Sequence, residues 1–119
     1  MDLKTCYQQM RGDYEAVMGR LRQEDRVRRF LLLFPKDENY QLLGEGLERK
    51  DWEQAFRAAH SLKGVALNLG LSELAQSSSE LTELLRAGAP TEDPGPLYQR
   101  VREDYERTVG AIGTLAEEG

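Results

Sequence analysis

The chain has 119 residues, enough for one domain of ordinary size, and its 16 Lys and Arg against 21 Asp and Glu leave a net charge of −5, which argues against a nucleic-acid-binding surface. One His and one Cys exclude a cysteine- or histidine-rich metal site within the chain and any intrachain disulfide, so chemistry that needs imidazole rests on His60. The balance of 39% hydrophobic and 31% charged residues suits a globular domain with a core, not a disordered tail.

Helical spacing runs from end to end. Leu3, Cys6, Tyr7 and Met10 stand at i, i+3, i+4, i+7, and after a break at Gly12-Asp13 the pattern restarts with Tyr14, Val17, Met18 and Leu21. A third stripe, Val27, Phe30, Leu31 and Phe34, meets Pro35, which disfavours helical geometry at Phe34 and is expected to end or kink the helix. Arg26, Arg28 and Arg29 lie beside Glu24 and Asp25 and read as a solvated face. Tyr40, Leu43 and Leu47 form a shorter, weaker helical pattern that contains Gly44 and Gly46.

Asp51, with Gln54 three residues on, is a good N-cap for a long helix whose apolar face is Trp52, Ala55, Phe56, Ala59, Leu62, Val65, Ala66 and Leu69; Gly70 is placed to end it. Leu71, Leu74, Ala75, Ser78, Leu81 and Leu85 make the next face, closed by Gly88 and Pro90. Three prolines in Ala89-Pro90-Thr91-Glu92-Asp93-Pro94-Gly95-Pro96 mark a loop, and Pro96 suits the first turn of a last helix with the seam Leu97, Val101, Tyr105, Thr108, Ile112 and Leu115. Glu117-Glu118-Gly119 reads as a frayed tail. The expected architecture is all-α, an antiparallel helical bundle with additional N-terminal helices: a single domain over 1–119, with 26–116 as its core and 1–25 as a helical extension that either caps the bundle or mediates dimerisation. No apolar run approaches a membrane span, the chain does not begin with a basic and apolar targeting segment, and the lone thiol can stay reduced; the expected compartment is the cytoplasm.

On the helix after Asp51, His60, Lys63, Gly64 and Leu67 fall at i, i+3, i+4, i+7, beside the apolar face. His60 is expected at the edge of that face, supported by Phe56 one turn back and open at its tip. A neutral imidazole is a good nucleophile toward a phosphoryl group, and a lysine three residues on can reach a group held there. Gly64 costs helix stability at an exposed position, which calls for a compensating use such as close approach of a partner protein.

The run Ala59-His60-Ser61-Leu62-Lys63-Gly64-Val65-Ala66-Leu67-Asn68-Leu69-Gly70 resembles the signature of histidine-containing phosphotransfer (HPt) domains, A-H-x-L-K-G-x-(S/A)-x-x-(L/I)-G. The resemblance implies a four-helix bundle that accepts a phosphoryl group from the aspartate of one receiver domain and passes it to another. It places the acceptor at His60, the phosphate-side lysine at Lys63, the glycine that admits the receiver at Gly64 and the helix-closing glycine at Gly70. It implies response-regulator receiver domains and a hybrid sensor histidine kinase as partners, and no cofactor, the Mg²⁺ being the receiver's. Some members carry a glutamine twenty-two residues after the histidine; the count here lands on Thr82, which is shorter but can hydrogen-bond, and Arg86 one turn on would add positive charge.

Other readings compete. A helical adaptor that binds receivers or partner helices without accepting phosphate predicts a buried His60 ring with both nitrogens satisfied. An autophosphorylating kinase fragment is disfavoured by Ser61, where such kinases usually have an acidic residue, and by the lack of a glycine-rich nucleotide loop. Ser77-Ser78-Ser79 has no second histidine to act as a base, and Cys6 reads as a small core residue.

Overall fold

A computed structural model describes residues 1–118. Among these the chain is all helical: α1 (Leu3–Met10), α2 (Tyr14–Leu21), α3 (Glu24–Leu33), a 3-10 turn (Phe34–Lys36), α4 (Asn39–Arg49), α5 (Trp52–Asn68), α6 (Ser72–Leu85) and α7 (Gly95–Glu118). The last four form the bundle expected of an HPt-like fold, with α5 packed between α4 and α6, and α7 against α6. No described helix is long and apolar enough to cross a membrane.

Local chemistry accounts for most boundaries. Asp2, Asp13 and Asp51 each accept a backbone N–H three residues on, capping α1, α2 and α5. Pro35 does stop α3, but Phe34 keeps helical angles (φ −55°, ψ −43°), so the chain tightens into a 3-10 turn instead of leaving helical space. The pattern around Tyr40 proves to be a continuous helix. Its glycines serve approach: a Cβ on Gly46 would lie 2.8 Å from the Ala55 nitrogen, and one on Gly44 2.9 Å from the Tyr98 hydroxyl. Tyr40 stacks on Tyr105 with centroids 3.9 Å apart, joining α4 to α7.

The stripe on α1 is spent inside the molecule. Leu3, Cys6, Tyr7 and Met10 are fully buried, with α1 lying along α7. Two sequence expectations change here. Phe30 is exposed rather than part of the α3 core face, because α3 turns only Val27 and Leu31 inward; Phe30 and Leu33 instead edge a recess shared with Val65 and Leu69. The expected fraying at the C-terminus is absent for Glu117 and Glu118, which continue α7, with Glu118 paired to the N-terminal amine; Gly119 lies outside the described residues.

Cys6 donates weakly to the Ala111 carbonyl at 3.8 Å, and burial pushes its thiol pKa up. Reaction of native protein with a thiol reagent is expected to be at least about 100-fold slower than in denaturant, the thiol being reached only through opening of the α1–α7 contact. Equal rates in both conditions would show α1 undocked in solution.

Candidate functional site

The outer face of α5 carries the site. Its inward residues Ala55, Ala59, Leu62 and Ala66 are fully buried, and that orientation turns His60, Gly64 and Leu67 to the surface with Lys63 half-buried beside them. Leu67 is 54% exposed, an uncovered apolar side chain of a size that interiors normally claim. A Cβ built on Gly64 meets nothing within 4 Å, so packing within the chain gives no reason for glycine there.

His60 is exposed, and among the described residues no hydrogen bond reaches its ring. The Phe56 ring supports it from one turn back, centroid to centroid 5.9 Å and tilted by 46°. Arg86, at the C-cap of α6, also lies over the Phe56 ring, its guanidinium carbon 5.3 Å from the ring centroid. Phe56, Arg57, His60, Ser61 and Arg86 line one shallow recess. A second recess, along α5 and α6, is lined by Lys63, Leu67, Ser72, Ala75, Gln76 and Ser79.

The α6 side of the site requires a correction. Thr82 is fully buried, and its hydroxyl donates to the Ser78 carbonyl at 2.6 Å, so it is not available to the His60 ring. The reason is its helical phase: Thr82 stands four residues after Ser78 and seven after Ala75, both on the buried face of α6. The residues of α6 that border the site are Gln76, Ser79 and Arg86, with Glu83 completing the same i, i+3, i+7, i+10 stripe. Glu83 was not legible as a site residue by counting from His60. Its stripe was available in the sequence, since it is the phase about 100° from the apolar one.

Glu83 and Arg86 form a two-point pair, Arg86 Nε to Glu83 Oε1 at 3.1 Å and Nη2 to Oε2 at 2.6 Å. That hydrogen bonding holds the Glu83 carboxyl below its usual range, with the positive charge of Arg86 and Lys63 acting in the same direction.

The far end of α5 is anchored by the N-terminal helices. Arg20 of α2 donates to the carbonyls of Leu67 and of Asn68, the latter at 2.8 Å, and the Tyr7 hydroxyl donates to the Leu69 carbonyl at 2.6 Å. The Asp13 N–H bonds the Gly70 carbonyl at 2.7 Å. Carbonyls at and just beyond the helix end thus find partners in a segment distant in sequence, and α5 becomes a fixed platform for His60. Gly70 has φ +69°, the left-handed conformation that lets the chain turn from α5 into α6, as its position in the motif implies.

A helical bundle presenting one exposed histidine with a lysine and a bare glycine on the next turn has the form of a phosphotransfer module. Comparison with known families agrees: residues 37–111, more than half of the chain, match the Hpt domain family, and the chain belongs to it. The match leaves α1 to α3 outside. Thirty-four residues, 29% of the chain, are 53% identical to the Sensory/regulatory protein RpfC of Xanthomonas campestris pv. campestris, found in two strains. The chain spans about 5% of the length of these curated relatives. No solved structure matches. Membership and similarity together support a phosphotransfer role in general terms; Hpt domains are phosphocarriers rather than enzymes.

Proposed function

We propose that the chain is a phosphorelay intermediate that accepts a phosphoryl group from a receiver-domain phosphoaspartate on His60 and passes it to the aspartate of another receiver. In the loading step a ring nitrogen of His60 forms the N–P bond as the P–O bond to the aspartyl carboxylate breaks, and the carboxylate leaves with the electron pair. The reverse sequence returns the phosphoryl group to a receiver. Such in-line transfer needs positioning and charge neutralisation more than covalent machinery. Lys63 neutralises the phosphoryl group, Gly64 and Leu67 form the surface on which the receiver seats, and Phe56 and Arg86 support the ring side. The receiver supplies the Mg²⁺, and the chain holds no cofactor. A hybrid sensor histidine kinase stands upstream, and the relay operates in the cytoplasm.

The observation that carries this reading is the exposed His60 ring beside Lys63, with open space over Gly64. It favours the phosphocarrier over the helical adaptor, which calls for a ring satisfied inside the chain. Incubation with a phosphorylated receiver domain is expected to label the wild type with an acid-labile, base-stable phosphate and to leave His60→Gln unlabelled. Equal labelling of His60→Gln would remove the assignment.

Lys63→Ala is expected to slow transfer about 10-fold, the scale of one charge-assisted hydrogen bond of about 1.5 kcal/mol, or to shorten the life of the phosphohistidine by a like factor. Rapid-quench transfer and decay rates check it, and wild-type values for both would take Lys63 out of the site.

A further inference from the structure

The acceptor face carries an anion that the transfer chemistry does not call for. Glu83 sits on the exposed α6 stripe that also carries Gln76 and Ser79, its carboxylate held by Nε and Nη2 of Arg86, while Arg86 itself lies over the Phe56 ring that backs His60. The glutamate is 57% exposed and the arginine 52%, and Arg86 shares a recess with His60, so the pair lies open to solvent on the acceptor side of the molecule. The positive charge of Lys63 acts on the Glu83 carboxyl as well.

We propose that Glu83 is a tuning residue of the phosphocarrier, its carboxylate opposing the phosphoryl group on His60 and occupying Arg86, so that the phosphohistidine gives its phosphoryl group up to a receiver instead of retaining it. This rests on the phosphotransfer reading and adds a residue and a direction to it.

The physical argument is one of local charge. A phosphoryl group brings up to about two negative charges near neutral pH. Lys63 and Arg86 attract it, and Glu83 cancels one of those two cations, leaving a single net positive charge to hold a dianion. Both cations acting unopposed would stabilise the phosphorylated ring and shift the transfer equilibrium away from the receiver. The Glu83 carboxylate raises the energy of the loaded state relative to the empty one, in which it meets no phosphoryl charge and keeps Arg86 as its partner. Glu83 reacts with nothing itself; the bonds that form and break are those between phosphorus and the His60 ring and between phosphorus and the receiver carboxylate.

A purely structural role for Glu83, holding Arg86 in place for the phosphoryl group, makes the opposite prediction, and the sign separates the two. The wild type, Glu83→Gln, Arg86→Gln and the double variant are mixed with a phosphorylated receiver domain. The ratio of phosphoryl group on this chain to that on the receiver is read at the plateau that precedes receiver hydrolysis. Glu83→Gln is expected to raise the ratio about 3- to 10-fold and Arg86→Gln to lower it by a similar factor, the scale of single charges at a solvated surface. An unchanged or lowered ratio in Glu83→Gln, with the wild type labelled, overturns the inference and leaves the phosphocarrier reading standing. An unlabelled wild type overturns both. The pair is exposed and both replacements keep helix propensity, so circular dichroism is expected to report the same fold in all four proteins.

Discussion

Gly64→Gln is expected to slow phosphoryl transfer between this chain and a receiver by about 10- to 100-fold while making the isolated chain more stable. The two effects have opposite signs because they arise from different surfaces. Within the chain, Gly64 lies on the open face of α5 with nothing within 4 Å of an added Cβ, so a side chain there displaces no neighbour. Glutamine is the better helix former, and the exchange is worth roughly 0.5 kcal/mol of added stability. Across the docking surface the same side chain stands one turn from His60, where a receiver must bring its aspartate into line with the ring. An ångström of displacement in such a geometry can cost about two orders of magnitude in rate. Stopped-flow or rapid-quench transfer, set beside a thermal melt, reads both quantities. Unchanged transfer with raised stability would mean that partners do not seat on Gly64, and lost stability would mean that the glycine serves the helix.

Gly70→Ala is expected to act the other way, lowering stability by about 2–5 kcal/mol and the melting temperature by roughly 10 °C or more, with transfer per folded molecule nearly unchanged. The positive φ of +69° costs an L-residue about 1–2 kcal/mol. A Cβ there would also lie 2.8 Å from the Asp13 carbonyl oxygen and 3.3 Å from Val17 Cβ, overlaps that cost a further 1–3 kcal/mol on the usual scale for overpacking. Denaturant unfolding followed by circular dichroism checks the first part and transfer kinetics the second. A stability loss below about 1 kcal/mol would mean that the α5–α6 corner relaxes freely, and with it the α1–α2 contact that anchors α5.

The two glycines lie six residues apart in one motif and do different things, which the sequence could only partly separate. Gly70 reads as a helix stop from its place after the last apolar residue of α5. For Gly64 the sequence points to close approach of a partner, though the glycine taken alone could also permit close helix packing; the empty space over it removes packing within the chain. Gly46 is the reverse case. In the sequence it weakens a helical pattern, and in the structure it lets α4 lie against the Ala55 backbone.

Whatever is local to a helix was legible in the sequence. The cap at Asp51, the inward stripe of α5 and the outward grouping of His60, Lys63, Gly64 and Leu67 follow from spacing along one chain segment at about 100° per residue, and the residues Ala59 to Gly70 carry the family resemblance. The tertiary structure alone decided what faces that grouping. Counting from His60 reached Thr82 and, one turn on, Arg86; the structure keeps Arg86 in a recess with His60, buries Thr82, and pairs Glu83, one residue along α6, with that arginine. The same holds for Arg20, Tyr7 and Asp13, whose bonds to the end of α5 depend on how the N-terminal helices dock. Periodicity tells which face of a helix is buried; the register of one helix against another is a property of their packed side chains, and that sets the chemistry around His60.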